Sequence, residues 1–237
     1  MLILYLHLMN TVSLQAKRSL NIIEKTVLAI VFILMLIGVV AAWVNKDWFL
    51  NQYVAEDHFI EDVTLIPLAA ITLTCIVYLL KYRRNRNIWF FLTYLAFALA
   101  SFFILGEEIS WGQRIFHFQT GEFFKEHNSQ GEENIHNLIL DGEKLNKIIF
   151  TDALIAGVII YLVGVPLFYR RNEKFKSFIN RSAFPVARLY QIIACTLVFG
   201  LSFLTFDPKG AELLEFGGSA MFMLIILFPL NKYAFSN

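Results

Sequence analysis

The stretch Ala96-Phe97-Ala98-Leu99-Ala100-Ser101-Phe102-Phe103-Ile104-Leu105 runs without a break into Gly106-Glu107-Glu108-Ile109-Ser110-Trp111-Gly112-Gln113-Arg114. Within a few residues hydrocarbon gives way to carboxylates, a hydroxyl, an indole, an amide and a guanidinium. Such groups beside a membrane-length apolar run need a partner or a task. The junction therefore reads as the end of a membrane span and as the first candidate for a site.

Five more apolar runs flank it. Segments near the roughly 20 residues that cross a bilayer cover about 26–44, 63–80, 88–105, 148–168, 187–206 and 211–230. They are apolar all round, which for a helix means burial or lipid contact. Hydrophobic residues make up 57% of the chain and charged residues 16%, against roughly 25% charged in an ordinary soluble domain. The expected fold is all-α, a polytopic membrane helical bundle of about six transmembrane helices. It forms one domain over 26–230, between tails at 1–25 and 231–237.

Charge gives the orientation. Fourteen of the 20 Lys and Arg residues fall on one side: Lys17, Arg18 and Lys25, then Lys81 to Arg86, then Arg170 to Arg188, then Lys232. By the positive-inside rule that side is the cytoplasm, so both termini are expected there, with the chain in the plasma membrane. Every acidic residue except Glu24 and Glu173 falls in the loops or span ends of the other side. Acidic residues contribute little to topology, so the acidic outer face is not a by-product of insertion. A net charge of +1 argues against a nucleic-acid partner.

The N-terminal run Met1 to Met9 is apolar but too short to span, and Met9 is an alternative start. Lys17, Arg18 and Lys25 ahead of Thr26 to Val40 resemble a signal peptide, with Val40-Ala41-Ala42 as a weak cleavage site. Trp43 and Trp48 at the outer interface favour an uncleaved first span. Cys75 and Cys195 lie inside spans and read as packing residues, not a disulfide framework.

The long outer loop, 106–147, is expected to have structure or function of its own. Phe116, Phe118, Phe123 and Phe124 suit the headgroup level. Ile135, Leu138, Ile139 and Leu145 could build an amphipathic interfacial helix after the Gly131 break.

Were the third span to continue as a helix through Arg114, Glu107, Ser110, Trp111, Arg114 and His117 would share one stripe. An ion pair from Arg114 to Glu107 or Glu108 would explain that stripe in structural terms alone. Asp152, Glu212 and Glu215 reach the same depth, and Glu212 and Glu215 share a helix face with Ser219. Gly217 and Gly218 allow close helix approach there. So much negative charge implies a cation: Arg114, a loop histidine, a metal or a cationic substrate group.

A second polar run is Gln130-Gly131-Glu132-Glu133-Asn134-Ile135-His136-Asn137. Glu132 and His136 stand at i, i+4, a spacing that admits a divalent metal with Asp152 as a further ligand. A solvated loop with capping asparagines is the structural alternative. No phosphate loop, Gly-x-Ser-x-Gly elbow or Cys-x-x-Cys pair occurs.

The string Gly-Glu-Glu-Ile-Ser-Trp-Gly-Gln-Arg at 106–114, with Asn134-Ile135-His136-Asn137, resembles a signature of uncharacterised bacterial multi-pass membrane proteins. More distantly, polar groups gathered at one end of a small bundle are similar to the VanZ-like and phosphatidylserine-synthase-like group. That resemblance implies action on lipid headgroups and assigns no residue.

These readings converge on an enzyme that modifies, exchanges or hydrolyses a lipid or polyprenyl headgroup at the extracytoplasmic leaflet. Glu107 or Glu108 is the expected general base, His136 a second acid/base or metal ligand, and Arg114 the phosphate or oxyanion partner. Ser110, Trp111, Gln113, Asn134, Asn137, Glu212 and Glu215 are the expected substrate contacts. Two other classes fit the same residues: an ion- or proton-coupled transporter, disfavoured by nearly clean span middles, and an assembly factor with an acidic docking face.

Overall fold

Helix α1 (Ile22–Val44) starts where Asn21 can cap it: Glu24 N–H donates to Asn21 Oδ1 at 2.8 Å and Asn21 N–H donates to Glu24 Oε2 at 2.9 Å. This reciprocal box satisfies two of the amides that open any helix. In the computed structural model, which describes residues 19–135, 137–140, 143–144 and 154–232, α1 is followed by a short turn, α2 (Lys46–Trp48), and a π-helical turn, Phe49–Tyr53. The side chains of Arg114, Leu140, Glu143, Lys144, Leu154 and Ile155 are outside the described set.

The segment after α1 does not loop outward, although its sequence is short, acidic and aromatic. Phe49, Tyr53 and Val54 are buried in the main core with Met35, Leu213 and Phe216. The Tyr53 hydroxyl donates to the Leu34 carbonyl of α1 at 2.8 Å, and Trp48 and Phe59 stack on its two sides. A buried hydroxyl needs such an acceptor.

Two long helices follow, α3 (Phe59–Tyr82) and α4 (Ile88–Glu108), packed against each other. Glu61 and Asp62 occupy the first turn of α3, where acidic side chains suit the helix dipole. Midway along, Thr72 Oγ1 and Ser101 Oγ lie 2.8 Å apart, and each bonds a carbonyl one turn back in its own helix.

The last third comprises α7 (Leu154–Ile159), a π-helical turn at Ile160–Gly164, α8 (Val165–Arg171), α9 (Glu173–Ser182), α10 (Leu189–Phe203) and α11 (Gly210–Leu227). The helix α11 is the axis of the bundle: it packs on α1, α3 and α10, and 50% of its apolar stretch is buried, against 22–33% in α1, α3 and α4. Gly217 lets α10 and α1 approach, since a Cβ there would lie 2.5 Å from Val198 Cγ1 and 3.3 Å from Met35 Sδ. Gly218 faces open space and has no such role.

Among the described residues four helices, α1, α3, α4 and α11, are long and apolar enough to cross a membrane. Their outer faces carry large exposed apolar side chains, among them Ile33, Ile66, Leu73, Leu99 and Phe102, as lipid contact requires. The count of six spans stands differently. The fifth expected span forms the shorter α10 of 15 residues, and the fourth is divided by its π-helical turn, with 148–153 outside the described residues.

Two further expectations are corrected. The helix α4 ends at Glu108, because Ser110, Trp111 and Gly112 have φ of 45°, 53° and 83° and reverse the chain. The proposed stripe from Glu107 to His117 therefore does not exist, and only the short α5 (Gln113–Phe116) follows. Between Gly131 and Lys144 no helix occurs among the described residues: Asn128 bridges Leu138, and Ile139–Leu140 pairs antiparallel with Glu143–Lys144, while Leu145 lies outside the described residues. The helix of this loop lies earlier, at α6 (Glu122–His127). Short side-chain-to-backbone bonds from Asn128 outcompete helix formation there.

Candidate functional site

The two polar runs of the long loop fold onto each other. Glu107 is 5% exposed, and its carboxylate accepts from Trp111 Nε1 at 2.8 Å and from the Ile135 amide at 2.6 Å. Ser110 donates to Glu132 Oε2 at 2.6 Å, and Asn134 Nδ2 donates to Ser110 Oγ at 2.9 Å and to Glu132 Oε2 at 3.1 Å. Gln113 Oε1 accepts from the Glu133 amide at 2.8 Å, while its amide nitrogen donates to Thr120 Oγ1 at 2.6 Å. Asn134 Oδ1 accepts from the Asn137 amide at 3.1 Å and from Asn128 Nδ2 at 2.9 Å.

Backbone geometry makes this clasp. The left-handed turn at 110–112 folds the Trp111 ring back over Gly106, where a Cβ would lie 2.9 Å from the ring, and against Phe102 and Phe103. Non-glycine residues at positive φ are costly and persist only when the surroundings fix them; here the Glu107 and Phe contacts do so. Glu107 thus helps to hold the clasp while it also lines a small cavity.

Glu108, next in the chain, lines the same cavity as Glu107. Its electrostatic neighbours are Glu61, Glu212 and Glu107, and those of Glu215 are Glu212, Glu108 and Glu61. Among the described residues no donor bonds the Glu108 carboxylate. A small cavity of about 10 Å³ is lined by Glu56, Glu61, Glu107, Glu108, Asn134, Asn137 and Glu212. That is room for one water or a monatomic ion. A wider recess of about 270 Å³ is lined by Asp57, Glu61, Asp62, Leu65, Glu108, Ile109 and Ile115. Glu61 and Glu108 line both.

The cation that meets this cluster among the described residues is Lys209, 3.1 Å from Glu212 and 3.3 Å from Glu56. Burial works against its ammonium, but the Glu212 and Glu56 carboxylates outweigh that and hold Lys209 above the ordinary lysine range. Burial likewise pushes the Asp207 carboxyl upward, and the Lys209 amide with the Lys46 ammonium at 3.0 Å outweighs it, so Asp207 lies below the ordinary carboxylate range.

The expected residues therefore divide into groups. Glu107, Glu108 and Glu212 meet at one cavity with Asn134 and Asn137, and Glu215 is their neighbour. Ser110, Trp111 and Gln113 hold the clasp beside it instead of facing the recess. Arg114 lies on α5 with its side chain outside the described set, and His136 and Asp152 lie outside the described residues.

Residues 132–135 are not helical, and the Glu132 carboxylate accepts from Ser110 and Asn134; the other two expected metal ligands, His136 and Asp152, lie outside the described residues. Among the described residues no three His, Cys, Asp or Glu side chains stand at ligand spacing.

Sequence reasoning missed Glu61, Glu56 and Lys209. A signal was present in Glu61, a carboxylate in the first turn of a span on the acidic side, as Glu212 is in α11. No family model, curated protein or solved structure matches the chain.

Proposed function

We propose that this membrane protein engages the headgroup of a membrane lipid or polyprenyl carrier at the acidic end of its bundle, facing the extracytoplasmic leaflet of a six-span fold. The observation that carries the reading is the placement of Glu61 and Glu108. They join a carboxylate-lined pocket to a recess whose rim holds Leu65, Ile109 and Ile115. A headgroup enters the polar side while its chain stays against the apolar rim. Glu108 is the general acid/base, since Glu107 is held by the clasp. Arg114 and His136 remain the partners proposed for a phosphate oxygen and a second proton.

The charge balance selects among headgroups. Glu56, Glu61, Glu108 and Glu212 line the pocket together, and Lys209 meets two of them, Glu56 and Glu212; so acidic a lining favours an amine or another cationic group. Native mass spectrometry of the detergent-purified protein, titrated with phosphatidylethanolamine and its N-acylated analogue, tests this. The amine lipid should bind about tenfold more tightly, a difference of about 1.4 kcal/mol, and Glu61→Gln/Glu108→Gln should abolish the preference. Equal binding of the two lipids by the wild type overturns the reading. A Glu108→Gln protein with full headgroup turnover would remove the acid/base role alone.

A second reading, an ion- or proton-coupled carrier, is favoured by the π-helical turn at Ile160–Gly164 and the Thr72–Ser101 hydroxyl pair in the middle of the bundle. Irregular or polar helix middles mark transport paths. Flux of protons or a cation into vesicles, abolished by Thr72→Val, would support it over the headgroup reading.

A further inference from the structure

At the end of the bundle opposite the acidic pocket, we propose a binding surface for anionic phospholipid, formed by α9 and the α3–α4 turn. The helix α9 spans 10 residues, Glu173–Ser182, far too short to cross a bilayer. Phe175, Phe178, Ile179 and Ser182 share one face at helical spacing. Ile179 is buried in a small core with Tyr169 and Val186, whereas Phe178 stays 47% exposed. Its ring meets Trp89, itself 46% exposed, edge to face at 5.5 Å. An amphipathic helix with such an aromatic pair suits the headgroup and acyl boundary.

Charge surrounds that aromatic pair. Arg83 and Arg84 in the α3–α4 turn, and Arg171, Lys174 and Arg181 around α9, are all exposed. Asn87 Nδ2 donates to the Arg181 carbonyl at 2.7 Å across 94 residues of chain, so the two basic loops form one face. Residues 81–89 and 170–188 contain a single acidic residue, Glu173, which pairs with Lys176 at 3.2 Å. Arg86 adds a guanidinium 5.6 Å from the Tyr82 and Phe90 ring centroids, with no hydrogen-bond partner for Nε and Nη2 among the described residues.

Membrane insertion needs the positive charges, but not their convergence. Topology is set by counts in separate loops, whereas this fold joins two loops around exposed aromatics at the margin of the apolar belt. The complement to that surface is a phosphate-bearing headgroup with net negative charge, held by arginine and lysine while Phe178 and Trp89 sit at the acyl boundary.

The test uses the full chain reconstituted in phosphatidylcholine vesicles, with tryptophan quenching by brominated phosphatidylglycerol compared with brominated phosphatidylcholine. The anionic lipid should be preferred roughly fivefold at low salt, with the preference falling steeply as ionic strength rises. Arg83→Gln/Arg84→Gln/Lys174→Gln should erase it. Equal quenching by the two lipids in the wild type overturns the proposal, as does a preference that salt leaves unchanged. The salt series keeps the test decisive even where the triple variant inserts poorly.

Discussion

Glu24 at the basic end and Glu108 at the acidic end sit in opposite circumstances. Glu24 is fully buried, and its carboxylate receives the Asn21 amide at 2.9 Å, the Tyr190 hydroxyl at 2.6 Å and the Arg188 guanidinium. The same end holds Asn231, also fully buried, which accepts from the Val186 amide and donates to the Phe184 carbonyl. Glu108 has Glu61, Glu212 and Glu107 as electrostatic neighbours and lines two cavities. A polar group whose every bond is made holds a fold together. Carboxylates collected around a space are arranged for something that comes and goes.

From that contrast, removing the partner of Glu24 and neutralising Glu108 should act with opposite signs. The largest effect belongs to Arg188→Met, which strands the buried Glu24 carboxylate and should cost about 3 kcal/mol in detergent unfolding. The double variant Arg188→Met/Glu24→Met should recover most of that loss. A loss under about 1 kcal/mol for the single variant would show that the basic end is no tighter than the acidic one.

Glu107→Ala comes next, because it removes the acceptor of Trp111 Nε1 and of the Ile135 amide. It should cost about 2 kcal/mol and raise hydrogen exchange at 128–138 before the helices respond. Unchanged exchange there would mean that the clasp does not depend on Glu107.

Glu108→Gln should move stability the other way, raising it on the order of 1 kcal/mol by removing the burial of an ionisable carboxyl and its repulsion from Glu61 and Glu212. Loss of headgroup binding in the same variant would be the expected trade of stability for function. Destabilisation would place Glu108 with Glu24 as a structural residue and erase the comparison.

The smallest effects concern the rim. Asp207 lies below its ordinary range, so its contribution is present above that range and is lost as pH falls through the depressed value. Lys209 lies above its range, so its contribution is present below the ordinary lysine value and is lost as pH rises past it. The Lys46 side chain is 61% exposed, so Lys46→Gln should cost under about 1 kcal/mol and nothing measurable at high salt. A melting series over pH and salt reads all three statements.

The span ends were legible because hydropathy is a local property: α1, α3, α4 and α11 begin and end within a few residues of the apolar runs. The meeting of Glu108 with Glu212 and Glu215 was also legible, since alternating spans bring these ends to one side. The helix expected through Arg114 was not, because side-chain spacing alone does not reveal the left-handed turn at Ser110 and Trp111 that Gly106 and Gly112 accommodate. Nor was the clasp, in which Ser110 chooses Glu132 and Asn134 across more than 20 residues.

By itself, then, the sequence determined that this chain lies in a membrane, where its apolar helices end and which end gathers negative charge, because composition and order along the chain settle those matters. Tertiary structure alone decided that Glu107 receives the Ile135 amide from the loop, and that Glu61 joins Glu107 and Glu108 at the cavity from another helix. Neighbouring carboxylates in one chain differ only through the donors that packing brings to each, and those donors come from distant segments.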